Sequence, residues 1–377
     1  ANPPRHRGAT ILPEMTEPET LHVVGAGPAG LTAAIVARRA GRPVVVHERR
    51  RDVGSRFHGD FQGLENWSTE SDVLDELGAL GIEPTFEAIP FRQQVCFGPD
   101  GREHVFRTAS PFYYLVRRGP EPGTLDHALK QQALAAGAEI RFGETVRHPF
   151  GGGVAAWGPR RADVLAVGYL FETDLADGSF AVLDDRLAPK GYAYLLVAGG
   201  RATLATCMFR DFHREDEYLE RTLDFFRRRV GFTMRRARRF GGVGTTRPPR
   251  AEALAHVAWA GEAAGLLDAL WGFGIRYALR SAQLAALGSS RQLWETAIGR
   301  PLRASFVNRF FYERAGTAAY RWLLWRLTHT RDPRRYLRRA YHPSPWKRAL
   351  FPLVRSAFGH GEEPRPECSC TWCQERT

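Results

Sequence analysis

The sequence predicts an α/β protein in which a parallel strand–helix–strand unit is followed by an inserted antiparallel sheet and a helical C-terminal region. Three patterns carry this prediction. Residues 20–48 contain two apolar runs on either side of an Ala-rich helix, residues 163–210 alternate with a period of two, and residues from 291 onward have helical spacing. A chain of 377 residues is long enough to bury a large core shared by two lobes.

The strand–helix–strand unit lies near the start of the chain. Leu21–Val24 is a short apolar run typical of a buried strand, Pro28–Arg39 is the helix, and Pro43–His47 is the second strand. The turn between the first strand and the helix, residues 25–30, has the spacing G-x-G-x-x-G. This arrangement is typical of a Rossmann-like dinucleotide-binding unit.

Each glycine of this turn has a physical role. Gly25 permits the sharp turn, Gly27 lets the backbone approach a pyrophosphate, and Gly30 lets the helix pack closely on the strand. Amides at the start of the helix favour negative charge. Glu48 ends the second strand and suits a ribose diol, while its charge disfavours a 2′-phosphate. The candidate cofactor contacts of this unit are therefore Gly25, Ala26, Gly27, Pro28, Ala29, Gly30, Glu48 and Arg49.

Composition is ordinary for a globular protein, with 44% hydrophobic and 25% charged residues. No apolar stretch is long enough to span a bilayer, and residues 1–19 are polar and Pro-rich rather than signal-like. We therefore expect a cytoplasmic protein, and peripheral contact with the inner membrane face is a further interpretation.

The net charge of +12 is regional rather than general. Residues 291–357 hold fifteen Arg and Lys against three Asp and Glu, so the rest of the chain is close to neutral. A basic patch suggests nucleic acid as a partner, but nothing else in the chain resembles a nucleic-acid-binding module. We expect no nucleic-acid partner.

Two regions suggest catalytic and substrate residues. The loop 49–67, dense in Gly, aromatic and charged residues, offers His58 as a first proton-donor candidate and Asp60 as a second. The period-two segments at 163–210 predict four antiparallel strands, in which Tyr192 and Tyr194 form one wall of an apolar pocket.

The remaining patterns predict ordinary elements between these regions. They are a helix at 71–80 capped by Ser71, strands at 94–97 and 104–107, a helix at 124–136 capped by Thr124, a strand at 139–146, a helix at 214–229, a break at 241–249, a strand at 255–260 and a helix starting near Gly274. Cys96 and Cys207 lie in apolar surroundings and are interpreted as packing residues.

Three separated segments together resemble the p-hydroxybenzoate-hydroxylase-type FAD proteins, and within that group the geranylgeranyl reductases. They are the Gly-rich turn with Glu48, an arginine before the helix at 124–136, and Gly-Glu-Ala-Ala-Gly at 261–265 followed by Gly-Phe-Gly-Ile at 272–275. The resemblance covers roughly residues 20–290. The candidate site residues it adds are Arg117, Arg118, Val146, Gly261, Glu262, Gly272 and Gly274 for the cofactor, and Trp271 for the substrate.

The sequence departs from the family pattern at two places. Glu262 stands where the family has an aspartate that binds the ribityl chain of FAD, and Arg117 and Arg118 compete for the position of the family arginine. The family motif Pro-x-x-Tyr-x-Trp-x-Phe-Pro corresponds to residues 189–197, which keep the proline and Tyr192, replace the tryptophan by Tyr194 and lose the closing Phe-Pro.

The resemblance implies an FAD-dependent oxidoreductase that reduces carbon–carbon double bonds of an isoprenoid, or another apolar small molecule, with hydride from reduced FAD. No second G-x-G-x-x-G marks an NADPH domain, so the reductant is either transiently bound NAD(P)H or a protein donor of the ferredoxin type. Two alternatives remain open: a flavin monooxygenase using NAD(P)H and O2, and a non-catalytic flavin electron carrier at a membrane surface.

The C-terminal region holds two further features. Residues 300–358 interleave Arg with aromatic residues, which suits either a helical lid or a membrane interface. Cys368, Cys370 and Cys373 form C-x-C-x-x-C, for which a structural metal such as zinc, with His360 or His342 as fourth ligand, is the first interpretation. A reversible disulfide is the second and an iron–sulfur cluster the third.

The predicted organisation follows from these segments. It is an FAD-binding domain at 20–160 and 240–290, a substrate domain of sheet and helix at 161–239, a helical basic and aromatic region at 291–358, and a Cys-rich tail at 359–377.

Overall fold

The computed structural model describes residues 19–147, 151–159, 162–248 and 257–358. Their strands, in chain order, are β1 (Leu21–Val24), β2 (Val44–Glu48), β3 (Phe61–Glu65), β4 (Ala88–Phe91), β5 (Gln93–Phe97), β6 (Glu103–Arg107), β7 (Tyr113–Arg117), β8 (Glu139–Phe142), β9 (Val154–Ala155), β10 (Val164–Glu172), β11 (Gly178–Val182), β12 (Tyr192–Ala198), β13 (Arg201–Met208), β14 (Arg235–Gly244) and β15 (Ala258–Trp259). The helices are α1 (Pro28–Arg39), α2 (Val73–Ala79), α3 (Leu125–Ala135), α4 (Glu215–Arg229), α5 (Ile275–Ala286), α6 (Arg291–Trp294), α7 (Arg300–Ala315), α8 (Thr317–Thr328), α9 (Pro333–Tyr341) and α10 (Pro345–Val354).

A five-stranded parallel sheet of order β15-β9-β1-β2-β8 forms the nucleotide-binding layer. The predicted β1–α1–β2 unit is confirmed, with Val23 of β1 beside Val46 of β2 and with α1 starting at Pro28. Helix α1 is buried along most of its length because it packs against α3 and α5 as well as against the sheet. The Gly-rich turn therefore lies at the carboxyl end of β1, on the edge of the parallel sheet where α/β proteins commonly bind ligands.

The second sheet has seven strands in the order β14-β10-β13-β12-β11-β5-β6. The four predicted antiparallel strands form its centre, β10 to β13. Its two edges were not expected. The β5–β6 hairpin joins through a parallel pairing of β5 with β11, and the last four residues of β14, 241–244, fall in the segment predicted to be a break. The sheet thus includes strands outside residues 161–239, the range predicted for the substrate domain.

A third sheet is antiparallel, with three strands in the order β3-β7-β4, and the β5–β6 hairpin of the seven-stranded sheet separates β4 from β7 in sequence. Its strand β7 ends at Arg117, directly before the turn that leads into α3. This sheet shares an apolar core with the seven-stranded sheet and the C-terminal helices, in which Phe61, Leu115 and Leu196 are buried beside Tyr320 and Leu324.

The helical prediction for residues 291–358 is confirmed by α6 to α10. Helix α7 packs against α10 and α9, and α8 packs against β6. Residues on the inner face of α8 are almost fully buried, as Tyr320 is 0% and Leu324 1% exposed. Within the described residues, no helix is both long enough and apolar enough to cross a bilayer.

Several predicted boundaries shift for identifiable reasons. The side chain that caps α2 is Asp72 rather than Ser71, because the Asp72 carboxylate accepts a hydrogen bond from the Leu74 amide. Strand β8 stops at Phe142 instead of 146, since only residues 139–142 pair with β2. Thr124 caps α3 and Gly274 precedes α5, both as predicted.

Candidate functional site

A single cavity of about 1010 Å³ extends from the Gly-rich turn to the C-terminal helices. One end, called here the polar arm, is bordered by the turn at 25–29, by charged residues of the following loop and by the segment 261–274. The other end, the apolar arm, is lined mainly by apolar and aromatic side chains. They include Phe61, Trp67, Cys96, Phe106, Phe112, Leu183, Tyr192, Tyr194, Leu196, Leu324, Leu327 and Leu337.

The Gly-rich turn forms a floor of the polar arm. A Cβ atom on Gly27 would meet no protein atom within 4 Å, so this position faces open space in the cavity. Gly25 and Gly30 are different, because a Cβ on Gly25 would come within 2.5 Å of the Ala156 carbonyl oxygen and one on Gly30 would overlap the Gly25 carbonyl oxygen. Gly30 therefore serves packing, and Gly27 leaves room for a ligand.

Helix α1 presents an open N-terminus to the same space. Gly27 is its N-cap, no side chain caps its first amides, and its first turn holds no acidic residue. A helix of 12 residues in this state attracts negative charge at its N-terminus.

Glu48 also lies where the motif predicts, at the end of β2 and on the cavity wall. One carboxylate oxygen accepts a hydrogen bond from the Ala26 backbone amide at 2.8 Å, and the other accepts one from the Arg50 backbone amide at 2.9 Å. The carboxylate thereby holds the turn in place. Arg49 lines the cavity beside it.

The structure separates the two arginines that the sequence could not distinguish. Arg118 lines the cavity, is 6% exposed and makes paired 2.8 Å hydrogen bonds from Nε and Nη2 to the Asp126 carboxylate. Arg117 does not line the cavity and instead pairs with Glu87 at 2.8 Å. Asp126 fixes the guanidinium of Arg118, which makes Arg118 the arginine that can reach a cofactor.

The segment 261–274 borders the polar arm with a second open helix N-terminus. Gly272 has a φ of +76° and no protein atom near its Cβ position, and Gly274 precedes α5, whose first turn holds no acid and no side-chain cap. Gly261 and Glu262 line the cavity too. Burial raises the pKa of the Glu262 carboxyl, while Arg56, 3.8 Å away, opposes this rise.

Asp268 is a residue of this segment that the sequence analysis missed. It is 2% exposed, and its carboxylate accepts hydrogen bonds from the Trp271 amide at 2.7 Å, the Tyr341 hydroxyl at 3.0 Å and the Ser305 hydroxyl. Asp268 thus ties the turn at 271–274 to α7 and α9. No motif signals such a role, because its partners lie 37 and 73 residues away.

The pKa of Asp268 makes this anchor testable. Burial raises that pKa from 3.8 to about 6, so between these values the native chain holds a proton that the unfolded chain releases. Asp268 therefore adds about 3 kcal/mol to the free energy of unfolding below pH 4, and this contribution is lost as the pH rises through 6.

We predict that Asp268→Asn removes this pH dependence. Relative to the unsubstituted protein, the melting temperature of the variant rises by about 2–3 °C between pH 4.5 and pH 7. Calorimetry or circular dichroism at several pH values measures the difference. A difference that does not change with pH would refute the assignment.

The residues predicted to contact substrate lie on the wall of the apolar arm. Tyr192, Tyr194 and Trp271 all line it, and the Tyr192 hydroxyl donates to the Trp271 carbonyl oxygen at 2.7 Å. Leu324 and Leu337, from α8 and α9, close the arm on the opposite side and were not predicted as site residues. The sequence shows only that these helices are amphipathic, and nothing in it says which element they cover.

Other predicted site residues are not at the cavity. His58 is exposed and does not line it, so the structure does not support His58 as proton donor; its neighbour Asp60 is buried and does line it. Val146 lies beyond the end of β8 and away from the cavity, because the strand stops four residues earlier.

The cysteine predictions have two outcomes. Cys96 and Cys207 are buried, as predicted, and burial raises the pKa of each thiol to about 12. Cys368, Cys370, Cys373 and His360 lie outside the described residues. Within residues 19–147, 151–159, 162–248 and 257–358, no group of three or more His, Cys, Asp and Glu is placed to hold a metal ion.

The polar arm fits FAD on three observations. First, Gly27 has no side chain and leaves open space where a ligand can approach the backbone. Second, the N-termini of α1 and α5 have no side-chain caps, and the positive ends of both helix dipoles face the polar arm. Third, Arg49 and Arg118 add positive charge to the same arm. A dinucleotide with a pyrophosphate and an electron-rich ring system complements this arrangement.

Comparison with known proteins agrees with this geometry. The model of the NAD(P)-binding Rossmann-like domain matches residues 23–63. The chain is 28% identical over 151 residues to hydroxysqualene dehydroxylase of Sinorhizobium fredii, covering 34% of this chain and 35% of that protein. It is 33% identical over 122 residues to digeranylgeranylglycerophospholipid reductase 2 of Methanopyrus kandleri, covering 32% of this chain and 27% of that protein. The chain thus matches only about a third of these relatives' lengths.

Solved structures match over nearly the whole chain. A geranylgeranyl bacteriochlorophyll reductase-like protein from Thermoplasma acidophilum has a TM-score of 0.64 at 18% identity, covering 90% of this chain and 98% of that one. A flavin-dependent brominase has a TM-score of 0.59 at 16% identity, covering 89% of this chain and 97% of that one. The chain therefore has the fold that these two proteins share. The predicted resemblance to the geranylgeranyl reductases is confirmed at the level of the fold.

Proposed function

We propose that this protein uses FAD to reduce carbon–carbon double bonds in an isoprenoid chain. The observation that carries the proposal is the continuity of one cavity from a polar arm suited to FAD to an apolar arm walled by aromatic and aliphatic side chains. When bound, FAD supplies the hydride-transfer chemistry that no side chain provides.

The residues of the polar arm would hold the cofactor. The turn at Gly27 and the N-terminus of α1 suit the pyrophosphate, and Glu48 suits a ribose hydroxyl. Arg118, held by Asp126, supplies a fixed positive charge, and Glu262 suits the ribityl chain. The N-terminus of α5, behind Gly272 and Gly274, favours negative charge on the ring system.

The apolar arm would hold the isoprenoid and keep water away. Its walls come from three sources: the seven-stranded sheet with Tyr192 and Tyr194, the three-stranded sheet with Phe61, and the C-terminal helices with Leu324. Binding in this arm removes apolar surface of the substrate from water, which stabilises the complex by roughly 25 cal/mol per Å² of buried surface. It offers little to a charged substrate.

The names of two relatives support an isoprenoid substrate. One acts on hydroxysqualene and the other on digeranylgeranylglycerophospholipid, both of which contain isoprenoid chains. A flavin monooxygenase is the second candidate, because a flavin-dependent brominase has a similar fold.

An anaerobic single-turnover reaction tests the proposal. The FAD-loaded protein is reduced with dithionite, so the result does not depend on whether NAD(P)H or a protein supplies electrons in the cell, and is then mixed with geranylgeraniol. The expected result is flavin reoxidation with a product two hydrogens heavier. Flavin that reoxidises only when oxygen is admitted, with an oxygenated product, would favour the monooxygenase.

We also propose that the outer face of α8 contacts a lipid surface. Leu323, Leu324 and Leu327 of this helix line the apolar arm, while Trp322 and Trp325 are 57% and 50% exposed on the same helix. Tryptophan rings and arginines suit the headgroup region of an anionic membrane. A helix with one face on the cavity and another on lipid would place the site beside a store of apolar substrate.

Vesicle binding tests this contact. We predict that Trp322→Ala/Trp325→Ala weakens binding to phosphatidylcholine vesicles containing 30% phosphatidylglycerol by at least about tenfold, because apolar area at the interface is lost. The control is Leu134→Ala, which removes an exposed apolar side chain from α3. Sedimentation with vesicles measures both. Equal binding by the double variant and the unsubstituted protein would contradict the proposal.

A further inference from the structure

The apolar arm contains a cluster of polar side chains that the proposed reaction does not use. Gln94, Tyr113 and Ser179 come from β5, β7 and β11, and all three line the cavity. They are 7%, 6% and 4% exposed, so they are polar groups inside an otherwise apolar wall. We call them the neutral polar cluster.

The hydrogen bonds of the cluster leave acceptors unused. The Tyr113 and Ser179 hydroxyls each lie 2.8 Å from Oε1 of Gln94, and the two hydroxyls contact each other. The amide NH2 of Gln94 donates instead to the carbonyl oxygens of Val95 and Ser179. The two hydroxyl hydrogens thereby occupy both lone pairs of Gln94 Oε1, so the lone pairs left for a ligand are those of the Tyr113 and Ser179 hydroxyl oxygens.

This imbalance favours a ligand that brings a hydrogen. Every polar atom of the cluster has a partner, and the Tyr113 and Ser179 hydroxyl oxygens can each accept one more hydrogen bond, which an O–H group of a ligand would supply. A ligand oxygen without a hydrogen, such as that of an ether, would find fewer partners.

The cluster has no charge to offer an anion. Among the described residues that line the cavity, the cations are Arg49, Arg50, Arg56 and Arg118, all in the polar arm. Arg118 follows the end of β7, and Tyr113 begins that strand, which separates them by roughly 16 Å at about 3.3 Å per residue. A diphosphate or carboxylate in the apolar arm would lose its hydration without gaining a cation.

We propose that the neutral polar cluster is a recognition site for the hydroxyl group of an isoprenoid alcohol. This inference rests on the proposed function and adds to it the chemical class of the substrate: an apolar chain with an uncharged O–H at the end remote from the polar arm. Gln94, Tyr113 and Ser179 are then residues that determine specificity.

Equilibrium binding tests the inference without measuring turnover. Titration calorimetry with the FAD-loaded protein compares three probes of one chain length: geranylgeraniol, its methyl ether and geranylgeranyl diphosphate. The expected result is that the alcohol binds about tenfold more tightly than the ether, which is the size of one satisfied hydrogen bond, and more tightly than the diphosphate.

Variants tie the preference to the cluster. Tyr113→Phe/Ser179→Ala removes both hydroxyl oxygens and is expected to lower the alcohol-to-ether ratio at least threefold. Tyr169→Phe is the matched control and should leave the ratio unchanged, because Tyr169 lies on β10 of the seven-stranded sheet that also carries Ser179 and does not line the cavity.

The outcomes separate this inference from the proposed function. Equal affinity for alcohol and ether, tighter binding of the diphosphate, or an unchanged ratio in Tyr113→Phe/Ser179→Ala would each overturn the inference alone. If none of the three probes binds, both the inference and the isoprenoid function fail.

Discussion

Replacing Gly27 by valine should abolish FAD binding while leaving the chain folded. Gly27 has a φ of −84° and a ψ of −177°, which valine adopts readily, and a Cβ there meets no protein atom within 4 Å. The added side chain would instead occupy the space beside the N-terminus of α1. We expect at least a 100-fold loss of FAD affinity, on the order of 3 kcal/mol, because the backbone can no longer approach the pyrophosphate.

Two measurements separate this effect from misfolding. Titration of the apoprotein with FAD gives the affinity, and circular dichroism with a thermal melt gives the fold. Gly151→Val is the matched control, since Gly151 is an exposed glycine with equally open surroundings, and it does not line the cavity. FAD binding by the Gly27→Val protein at the unsubstituted affinity would show that the turn does not hold the cofactor.

Filling the apolar arm should stop turnover and spare the cofactor. Ala181 of β11 lies on the cavity wall between Tyr194 of β12 and Cys96 of β5, and its side chain is partly exposed to the cavity. A phenylalanine there would take the volume that the proposed isoprenoid needs. We predict that Ala181→Phe slows the anaerobic reoxidation of the reduced protein by geranylgeraniol at least about 100-fold, because misplacing the substrate by about 1 Å has effects of this size.

The control for this variant uses the same change elsewhere. Ala176→Phe adds the same ring at an exposed position just before β11, away from the cavity. Both variants should bind FAD with unchanged affinity. An Ala181→Phe protein that reacts at the unsubstituted rate would mean that the substrate lies elsewhere.

The parts of the fold that local sequence patterns determine were predictable. The β1–α1–β2 unit follows from an apolar run, a Gly-rich turn and an Ala-rich helix, and the strands β10 to β13 follow from period-two alternation. In each case the elements follow one another closely in sequence, so local spacing predicts them, although it does not predict that β10 pairs with β13 rather than with β11.

The edges of the large sheet were not predictable in this way. Strand β5 pairs with β11 in parallel across more than 80 residues, and no local pattern encodes that partner. Strand β14 begins with four arginines among its first five residues and ends in glycines, which read as a charged segment and a break. Its pairing with β10 overrides those weak local preferences.

The residues of the candidate site show the same difference between local patterns, which a sequence reveals, and long-range packing, which it does not. A motif fixes the spacing of Gly27, Glu48 and Gly272, so the sequence identified these cavity-lining residues directly. For the cofactor arginine, the position before α3 left two candidates, Arg117 and Arg118. Asp268 and the leucines of α8 were missed, because their roles depend on which distant helix packs over the cavity. His58 lies outside the cavity and Asp60 of the same loop lines it, since a sequence does not show which side chains of a loop face inward.

The central claim is that the polar arm holds FAD. The most direct test is the visible spectrum of the purified protein, followed by identification of the cofactor released on heating. The account predicts one flavin per chain, bleached by dithionite and released as FAD, either as isolated or after incubation with FAD. A colourless protein that takes up no FAD, although its fold is intact by circular dichroism, would contradict the claim.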